Sequence, residues 1–332
     1  MKTPPATSVL ARKVRRSLRR VPVWVWRLLM HSVSSSERAR FNKDPITGLE
    51  YTFDVDFVGA GHRYQLLDVI APPAAGDGAT TALPVYVYFH GGGWTSGDKA
   101  ALTKYCASQA EAGMVVANVN YRVAPEFHMA HVLDDANAAL NWVQRNIGRF
   151  GGDPHRLVLG GDSAGGQIAA LLTAATIHSE LASHYKLHPA VAVQDIKGLV
   201  QHCSVVDFSV FFEKGFVLSL NFVRMLLPGR GITRPKPGRH EHLRRAARFL
   251  SPIEWLDSRH PPVLVTTSER DYFYTANLNF INRLREHSVP VDALVYDWAS
   301  TNTEHTWQQN YRYPESQEVY RRLHAFVDRV AG

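Results

Sequence analysis

The chain has 332 residues, of which 45% are hydrophobic and 20% are charged, as in an ordinary globular protein. These proportions exclude a disordered chain, a collagen and a coiled coil, and no apolar stretch reaches the roughly 20 residues of a membrane-spanning helix. The net charge of +7 is local: residues 1–40 hold ten basic residues and one acid, whereas the other 292 hold 27 basic and 29 acidic ones. The body of the chain therefore lacks the basic surface expected of a nucleic-acid-binding protein.

The basic segment at residues 1–45 is the first unit that stands apart. An arginine interrupts its apolar run and no clear cleavage pattern follows, which argues against a secretory signal peptide. Three interpretations stay open: a helix packed on the body, a basic amphipathic helix on an anionic membrane surface, and an organelle-targeting peptide. The first is favoured, because an apolar stripe at helical spacing marks core packing more often than a membrane face. That stripe consists of Trp24, Val25, Leu28 and Leu29.

Strand-like runs follow, several of them continuous and rich in β-branched and aromatic residues, as in strands buried on both faces. They cover residues 51–58, 64–71, 83–89, 114–121, 156–161, 262–268 and 291–298. Helical patterns lie between them, over residues 133–147, 164–178, 274–287 and 315–330. This alternation predicts an α/β fold with a mostly parallel sheet. No helix separates the first two runs, which we expect to form an antiparallel edge.

Residues 205–255 break the alternation with an apolar helical stretch and a loop rich in proline, glycine and arginine. An insertion of this kind between two core strands predicts a cap. We therefore expect residues 46–332 to form one domain with a cap insertion at about residues 205–255. Most of its phenylalanines should lie in the core and a few should line a pocket. They are Phe208, Phe211, Phe212, Phe216 and Phe222.

A G-x-S-x-G pattern centred on Ser163 follows one strand-like run and precedes an alanine-rich helix, as in a nucleophile elbow. Gly161 and Gly165 are needed there because the backbone turns so sharply that side chains would clash with the neighbouring strand and helix. The turn would lift the Ser163 hydroxyl to the carboxyl edge of the sheet. The alternative is a glycine-rich turn without chemistry.

A second glycine-rich segment, H-G-G-G-W at residues 90–94, ends the strand-like run at 83–89. Glycines let backbone N–H groups approach a ligand closely, and the oxyanion of a tetrahedral intermediate needs two or three such donors. The Ala164 N–H, just after the serine, should supply another. No G-K-[ST] sequence accompanies the glycines, so a phosphate-binding P-loop is disfavoured.

A serine nucleophile needs a base, and the base needs an acid that orients it. Asp271 and His305 each follow a strand-like run, at the edge where Ser163 should emerge, and they occur in the chain order nucleophile, acid, base. Asp297 and Glu304 are the rival acids. Asp297 lies within a strand-like run, and Glu304 adjoins the histidine that it would have to reach.

Five motifs together resemble the hormone-sensitive-lipase-like group of α/β-hydrolase esterases, over roughly residues 80–310. They are H-G-G-G-W at 90–94, Y-R-V-A-P-E at 121–126, L-D-D at 133–135, G-G-D-P at 151–154 and G-D-S-A-G-G at 161–166. The resemblance implies an α/β-hydrolase fold with a mostly parallel eight-stranded sheet, flanking helices and a helical cap. It also implies the hydrolysis of carboxylic esters without a cofactor or a metal.

Carried over by motif, the resemblance implies that Ser163 is the nucleophile, Asp271 the triad acid and His305 the base. It also implies the oxyanion donors, which are the N–H groups of Gly92, Gly93 and Ala164.

The sequence departs from the family at two places. Tyr272 and Phe273 follow the acid where the family often has Pro-Leu, and Thr306 and Trp307 follow the base where Gly-Phe is common. The bulk of Trp307 is expected to reshape the pocket.

These residues predict a serine carboxylesterase that hydrolyses short- to medium-chain esters through an acyl-enzyme. The alternatives are an amidase, an arylformamidase or a sterol or lipid deacetylase with the same triad, a non-catalytic receptor on the same fold, and a membrane-surface adaptor. The expected partner is a small-molecule ester. Nucleic acid is not expected, and the basic segment is a candidate membrane contact. The oligomeric state is open, with a homodimer among the options.

The two cysteines, Cys106 and Cys203, are too few for a disulfide framework and lack the spacing of a zinc or redox motif. So few cysteines favour a reducing compartment, although the sequence also allows one disulfide between the two. We expect the protein to be cytoplasmic, with or without attachment to a membrane.

Overall fold

The computed structural model describes residues 38–73, 82–213, 219–228 and 241–332, together with residues 24, 25, 27 and 28. Eight strands form one sheet in the order β1-β2-β4-β3-β5-β6-β7-β8. They are β1 (Glu50–Asp56), β2 (Leu66–Ala71), β3 (Leu83–Phe89), β4 (Val115–Val119), β5 (Gly152–Asp162), β6 (Ile196–His202), β7 (Val263–Ser268) and β8 (Val291–Tyr296).

The sheet is parallel except at one edge. β2 runs antiparallel to both of its neighbours, β1 and β4, and every other adjacent pair is parallel. β4 and β7 are buried along their whole length, as their apolar sequences predict, whereas β1 at the edge is largely exposed. The predicted α/β fold and its antiparallel edge are therefore confirmed.

Helices cover both faces of the sheet. They are α1 (Thr103–Glu111), α2 (Met129–Asn146), α3 (Ala164–Ile177), α4 (Ser179–Tyr185), α5 (Ser219–Leu226), α6 (Glu241–Ala247), α7 (Tyr274–Glu286) and α8 (Pro314–Ala331). Alternate residues of β3 point to opposite faces. Val87 joins the hydrophobic cluster that holds α2, α3 and α7, and Tyr88 joins the cluster that holds α1 and α8.

The sixth strand is absent from the strands predicted above. Its sequence, I-K-G-L-V-Q-H, mixes polar with apolar residues and so lacks the pattern of a buried strand. The structure nevertheless buries His202 completely, between Thr266 Oγ1 at 2.8 Å and the Tyr105 hydroxyl at 2.9 Å. Burial lowers the pKa of His202 to about 3, so the ring is neutral and can share its hydrogen bonds with hydroxyl groups. With β6, the sheet reaches the eight strands that the family resemblance implies.

The insertion between β6 and β7 packs at the carboxyl end of the sheet. It contains a short turn of helix at Phe208–Phe212, then α5 and α6. Phe208 and Phe211 are buried and lie 5.8 and 6.3 Å, between ring centroids, from Trp94 in the loop after β3. Residues 214–218 and 229–240 lie outside the described residues, and with them Phe216 and most of the proline- and glycine-rich loop.

The described part of the N-terminal segment differs from the favoured interpretation. Trp24, Val25 and Leu28 are 43%, 52% and 72% exposed, whereas Arg27 is only 7% exposed. The Arg27 guanidinium donates hydrogen bonds to the Tyr64 hydroxyl at 3.3 Å and to Glu126 at 3.5 Å. These polar partners on the body turn the arginine inward, so the apolar stripe does not pack there. Leu29 and residues 1–23 lie outside the described residues.

Among the helices of the described ranges, we find none whose length and apolar character would let it cross a membrane.

Candidate active site

Ser163 occupies a sharp turn between the last residue of β5 and the first residue of α3. Its φ of 51° and ψ of −116° are unfavourable for a residue with a side chain. A Cβ atom at Gly165 would collide with the Phe89 carbonyl oxygen of β3, and one at Gly161 would collide with the backbone of Gly165. Glycine is therefore required on both sides of the serine, for the steric reason expected from the sequence.

The backbone of Ser163 is held from the neighbouring strand. Its N–H donates to the His202 carbonyl oxygen at 2.9 Å, and its own carbonyl accepts from the Val205 N–H at 3.1 Å. The residue is 5% exposed. These two hydrogen bonds hold the strained turn in place. Ser163 lies at the amino end of α3, where the helix dipole favours negative charge.

Asp271 and His305 come together at the carboxyl ends of β7 and β8. His305 Nδ1 lies 2.6 Å from Asp271 Oδ1, and the Asp271 side chain is fully buried while that of His305 is 23% exposed. The Asp271 backbone N–H donates to the Ser268 carbonyl oxygen at 2.9 Å, and Thr267 Oγ1 donates to Asp271 Oδ2 at 3.4 Å. The carboxylate is thus fixed while the imidazole keeps an open edge.

The two rival acids have other partners. Asp297 accepts hydrogen bonds from the backbone N–H and the hydroxyl of Ser300, and Glu304 lies 3.4 Å from Arg270 in an ion pair. Of these three acids, Asp271 is the one in contact with the His305 ring.

The pKa of His305 results from two opposing effects. Burial by itself lowers the pKa, but the Asp271 carboxylate and, more weakly, the Asp162 carboxylate raise it above the usual histidine value. The imidazole is thereby a stronger base than a free histidine.

The glycine-rich loop after β3 leaves backbone donors free. Gly92 and Gly93 have φ angles of +115° and +58°, and the Gly92 carbonyl accepts from the Ser96 N–H at 3.1 Å. In the described ranges, the N–H groups of Gly92, Gly93 and Ala164 have no hydrogen-bond partner. All three are therefore available to an anionic oxygen.

Asp162, the residue before the serine, is hydrogen-bonded to β3, to the glycine-rich loop that follows it and to the segment after His305. It is 1% exposed and accepts hydrogen bonds from the Tyr88 hydroxyl at 2.6 Å, the Gly91 N–H at 3.1 Å and Gln309 Nε2 at 3.0 Å. Burial raises the pKa of its carboxyl, and the Tyr88 hydrogen bond partly offsets that rise. The sequence gave no sign of the contact with Gln309, which lies four residues after His305.

Cys203 is a neighbour of Asp271 and His305 that the sequence did not reveal. Its sulfur, an Asp271 oxygen and a His305 nitrogen all lie within 4.8 Å of one another. Burial raises the pKa of the Cys203 thiol, so it stays protonated, and both it and Cys106 are free rather than joined in a disulfide.

The aromatic residues at the departures from the family have different locations. The ring centroids of Tyr272 and Phe273 are each 5.6 Å from that of His305, with Tyr272 75% exposed and Phe273 nearly buried. Trp307 is 4% exposed and packs edge-on against Tyr296 in the cluster under α8. Its bulk therefore fills the core instead of forming the wall beside His305.

Comparisons with known proteins agree with this architecture. A family model described as the α/β hydrolase fold matches residues 86–305. The chain is 43% identical over 106 residues to Carboxylesterase NlhH of Mycobacterium tuberculosis, which is 30% of this chain and 31% of that protein. It is 29% identical over 227 residues to Esterase LipC of the same organism, which is 67% of this chain and 52% of that protein. The chain thus spans about a third and about a half of the length of these two relatives.

Among solved structures, the chain is similar to Esterase B from Lactobacillus Rhamnosis, with a TM-score of 0.81 over 95% of this chain and 96% of that one. The sequence identity is 18%. At this identity the likeness shows a shared fold.

Proposed function

Because the chain belongs to the α/β hydrolase fold family, we propose that it is a serine carboxylesterase that uses Ser163, His305 and Asp271. The proposal depends on one observation above all: the 2.6 Å contact between His305 Nδ1 and the buried Asp271 carboxylate, on the sheet edge where Ser163 emerges. The names of the relatives, a carboxylesterase and an esterase of Mycobacterium tuberculosis, also support it.

In this mechanism Ser163 Oγ attacks the ester carbonyl carbon while His305 Nε2 accepts the hydroxyl proton. Asp271 holds the proton of His305 on Nδ1 through the contact of 2.6 Å and stabilises the imidazolium. The carbonyl oxygen becomes an oxyanion, which the free N–H groups of the glycine loop and Ala164 would bind. His305 then protonates the departing alcohol, and water attacks the acyl-enzyme with His305 again as base.

We further propose that the substrates carry short to medium acyl chains. Tyr272 and Phe273 flank His305, and the Phe211 ring of the insertion lies 6.0 Å from that of Phe273. These aromatic side chains give the site an apolar wall made of bulky groups. Such a wall favours an apolar acyl group of limited length.

The test is the hydrolysis of p-nitrophenyl esters from acetate to palmitate by the wild type and three variants. We expect the rate to fall with chain length, and to fall about 10⁴- to 10⁶-fold in Ser163→Ala and His305→Ala, because neither proton transfer nor acylation can proceed. Asp271→Asn should lose about 10⁴-fold. His155→Ala is the matched control, since His155 pairs with Asp195 at 3.0 Å on the surface.

Full activity in His305→Ala would overturn the assignment of the base. Absence of turnover on every ester by the wild type would contradict the carboxylesterase and point to an amide, formamide or sterol ester substrate, or to a ligand-binding protein.

For the basic segment at residues 1–45 we propose a contact with an anionic membrane surface. The positive charge of the chain is concentrated in this segment. Trp24, Val25 and Leu28 are exposed, while Arg27 is turned toward the body. A chain that lacks residues 1–35 should lose salt-sensitive binding to vesicles containing phosphatidylserine and keep its esterase activity. Unchanged vesicle binding would contradict this proposal, and lost activity would instead favour a role in building the pocket.

A further inference from the structure

Three side chains with metal-ligating atoms meet away from the catalytic edge. His178 ends α3, and Asp257 and His260 lie in the loop that leads into β7. Because α3 has 14 residues and begins directly after Ser163, its far end lies about 20 Å from the serine. This cluster therefore belongs to the opposite end of the sheet and takes no part in the proposed hydrolysis.

The spacing of the three groups is close to that of a metal site. His178 Nε2 lies 3.4 Å from Asp257 Oδ2, and His260 Nδ1 lies 3.9 Å from Asp257 Oδ1. One atom from each residue lies within 4.8 Å of the other two. Zinc bonds of about 2.0–2.2 Å in a tetrahedron put neighbouring ligand atoms about 3.3 Å apart. Small side-chain movements would therefore bring all three onto one ion.

Both imidazoles present a suitable atom to the cluster. His178 Nε2 is buried and makes no hydrogen bond within the described ranges. His260 is 6% exposed, and its Nδ1 accepts a long hydrogen bond of 3.3 Å from the Asp257 N–H. The lone pair of this nitrogen therefore points at the Asp257 backbone N–H, and this long hydrogen bond is the one that an ion would replace. The buried His178 nitrogen has no hydrogen-bond partner, which is costly, and a metal bond would remove that cost.

The cluster already contacts a positively charged group, the Arg259 guanidinium. The Arg259 guanidinium donates from Nε to Asp257 Oδ2 at 3.0 Å and from Nη1 to the Ile177 carbonyl oxygen at 3.3 Å. The carboxylate and the carboxyl end of α3 both attract a cation there. The Arg259 side chain is 59% exposed, so it can swing into solvent and leave Asp257 to another cation.

We propose that His178, Asp257 and His260 bind a divalent transition metal ion, with zinc as the best match, in place of the Arg259 guanidinium. Two imidazole nitrogens and a carboxylate are ligands that zinc prefers, and water can take a fourth position. The ion would join the end of α3 to the segment that leads from the insertion into β7. Its role would be structural.

The experiment is a calorimetric titration of the full-length chain with Zn²⁺. It uses the His305→Ala background, because Cys203, Asp271 and His305 form another group that could take the ion. We expect one Zn²⁺ per chain, and a loss of more than about 10- to 100-fold in affinity when His178 is replaced by alanine. His155→Ala, which removes a surface histidine paired with Asp195, should bind as the background does.

Arg259→Ala tests the competition. Because the guanidinium competes with the ion for Asp257, its removal should tighten zinc binding while the stoichiometry stays at one Zn²⁺ per chain. A second measurement uses Co²⁺ in place of Zn²⁺, because tetrahedral Co²⁺ absorbs visible light. Asp257→Asn keeps the shape of the side chain and should abolish this absorption. Circular dichroism checks that each variant is folded.

The proposal is overturned if the chain takes up no stoichiometric zinc, or if His178→Ala and Asp257→Asn bind it as tightly as the background. Weaker binding by Arg259→Ala would overturn the competition. None of these measurements depends on esterase activity, so the failure of one proposal leaves the other untouched.

Discussion

His305 owes its basicity to carboxylates rather than to burial. Because the Asp271 carboxylate raises the pKa of the ring, His305 is protonated up to a higher pH than a free histidine. In the proposed mechanism only its neutral form can accept the serine proton. The acid limb of kcat/KM should therefore lie above the usual histidine pKa. In Asp271→Asn only the effect of burial and the distant Asp162 remain, so the limb should move to lower pH.

The measurement is a pH–rate profile on p-nitrophenyl acetate for the wild type and Asp271→Asn. The control is Asp195→Asn, which removes the partner of the exposed His155 and should leave the profile in place. An acid limb at the same pH in Asp271→Asn would show that Asp271 does not set the basicity of the proposed base, His305.

Two further contacts of single residues could be found only from the tertiary structure. Asp162 is recognisable in the motif, yet its bond to Gln309 joins positions 147 residues apart. The sulfur of Cys203 likewise meets Asp271 through the packing of β6 beside β7. No local pattern marks either contact, since the partners are distant in the chain.

At the scale of elements, the close approach of α3 to β3 is what makes the elbow possible. A methyl group at Gly165 would collide with the backbone of Phe89, which cannot move without displacing the strand. Gly165→Ala should therefore lower the free energy of unfolding by about 1–3 kcal/mol and disturb the glycine loop that follows β3. The measurement is urea unfolding together with the rate on p-nitrophenyl acetate.

Gly148→Ala is the matched control for this prediction. Gly148 lies in a short turn of helix, and a Cβ atom there would meet nothing within 4 Å. Equal stability and activity of the two variants would show that the elbow tolerates a side chain, contrary to its geometry.

At the scale of the whole molecule, Gln167 of α3 connects the insertion to the glycine-rich loop after β3. Its Oε1 accepts from Trp94 Nε1 at 2.7 Å, and its Nε2 donates to the Leu250 carbonyl oxygen at 2.6 Å. Gln167 is fully buried, and Trp94 lies against Phe208 and Phe211 of the insertion. One side chain thus couples the glycine loop, the helix after the serine and the insertion.

Gln167→Leu should leave the Trp94 N–H and the Leu250 carbonyl buried without partners, at a cost of about 1–3 kcal/mol each. We expect a lower Tm and a higher KM, because the pocket wall loosens. Gln317→Leu is the control: Gln317 lies exposed on α8 and should change stability by less than about 0.5 kcal/mol. A Tm for Gln167→Leu equal to that of this control would contradict the coupling.

The sequence by itself determined the alternating strands and helices, the antiparallel edge, the glycine turn at Ser163 and the glycine loop at residues 90–94. These features depend on neighbours within a few residues, because periodicity reports which face is buried and glycine reports a backbone that a side chain would block. The placement of Asp271 and His305 at strand ends follows from the same rule, since parallel strands end at one edge.

Only the tertiary structure decided the rest. β6 is a strand because two strands and the Tyr105 hydroxyl surround it, although its own pattern is mixed. Arg27 turns inward because Tyr64 and Glu126 offer it hydrogen bonds. The cluster at the end of α3 joins a helix end to a loop about 80 residues later in the chain. In each case the stabilising contacts join residues that are far apart in the sequence, and only the packing of the folded chain brings these residues together.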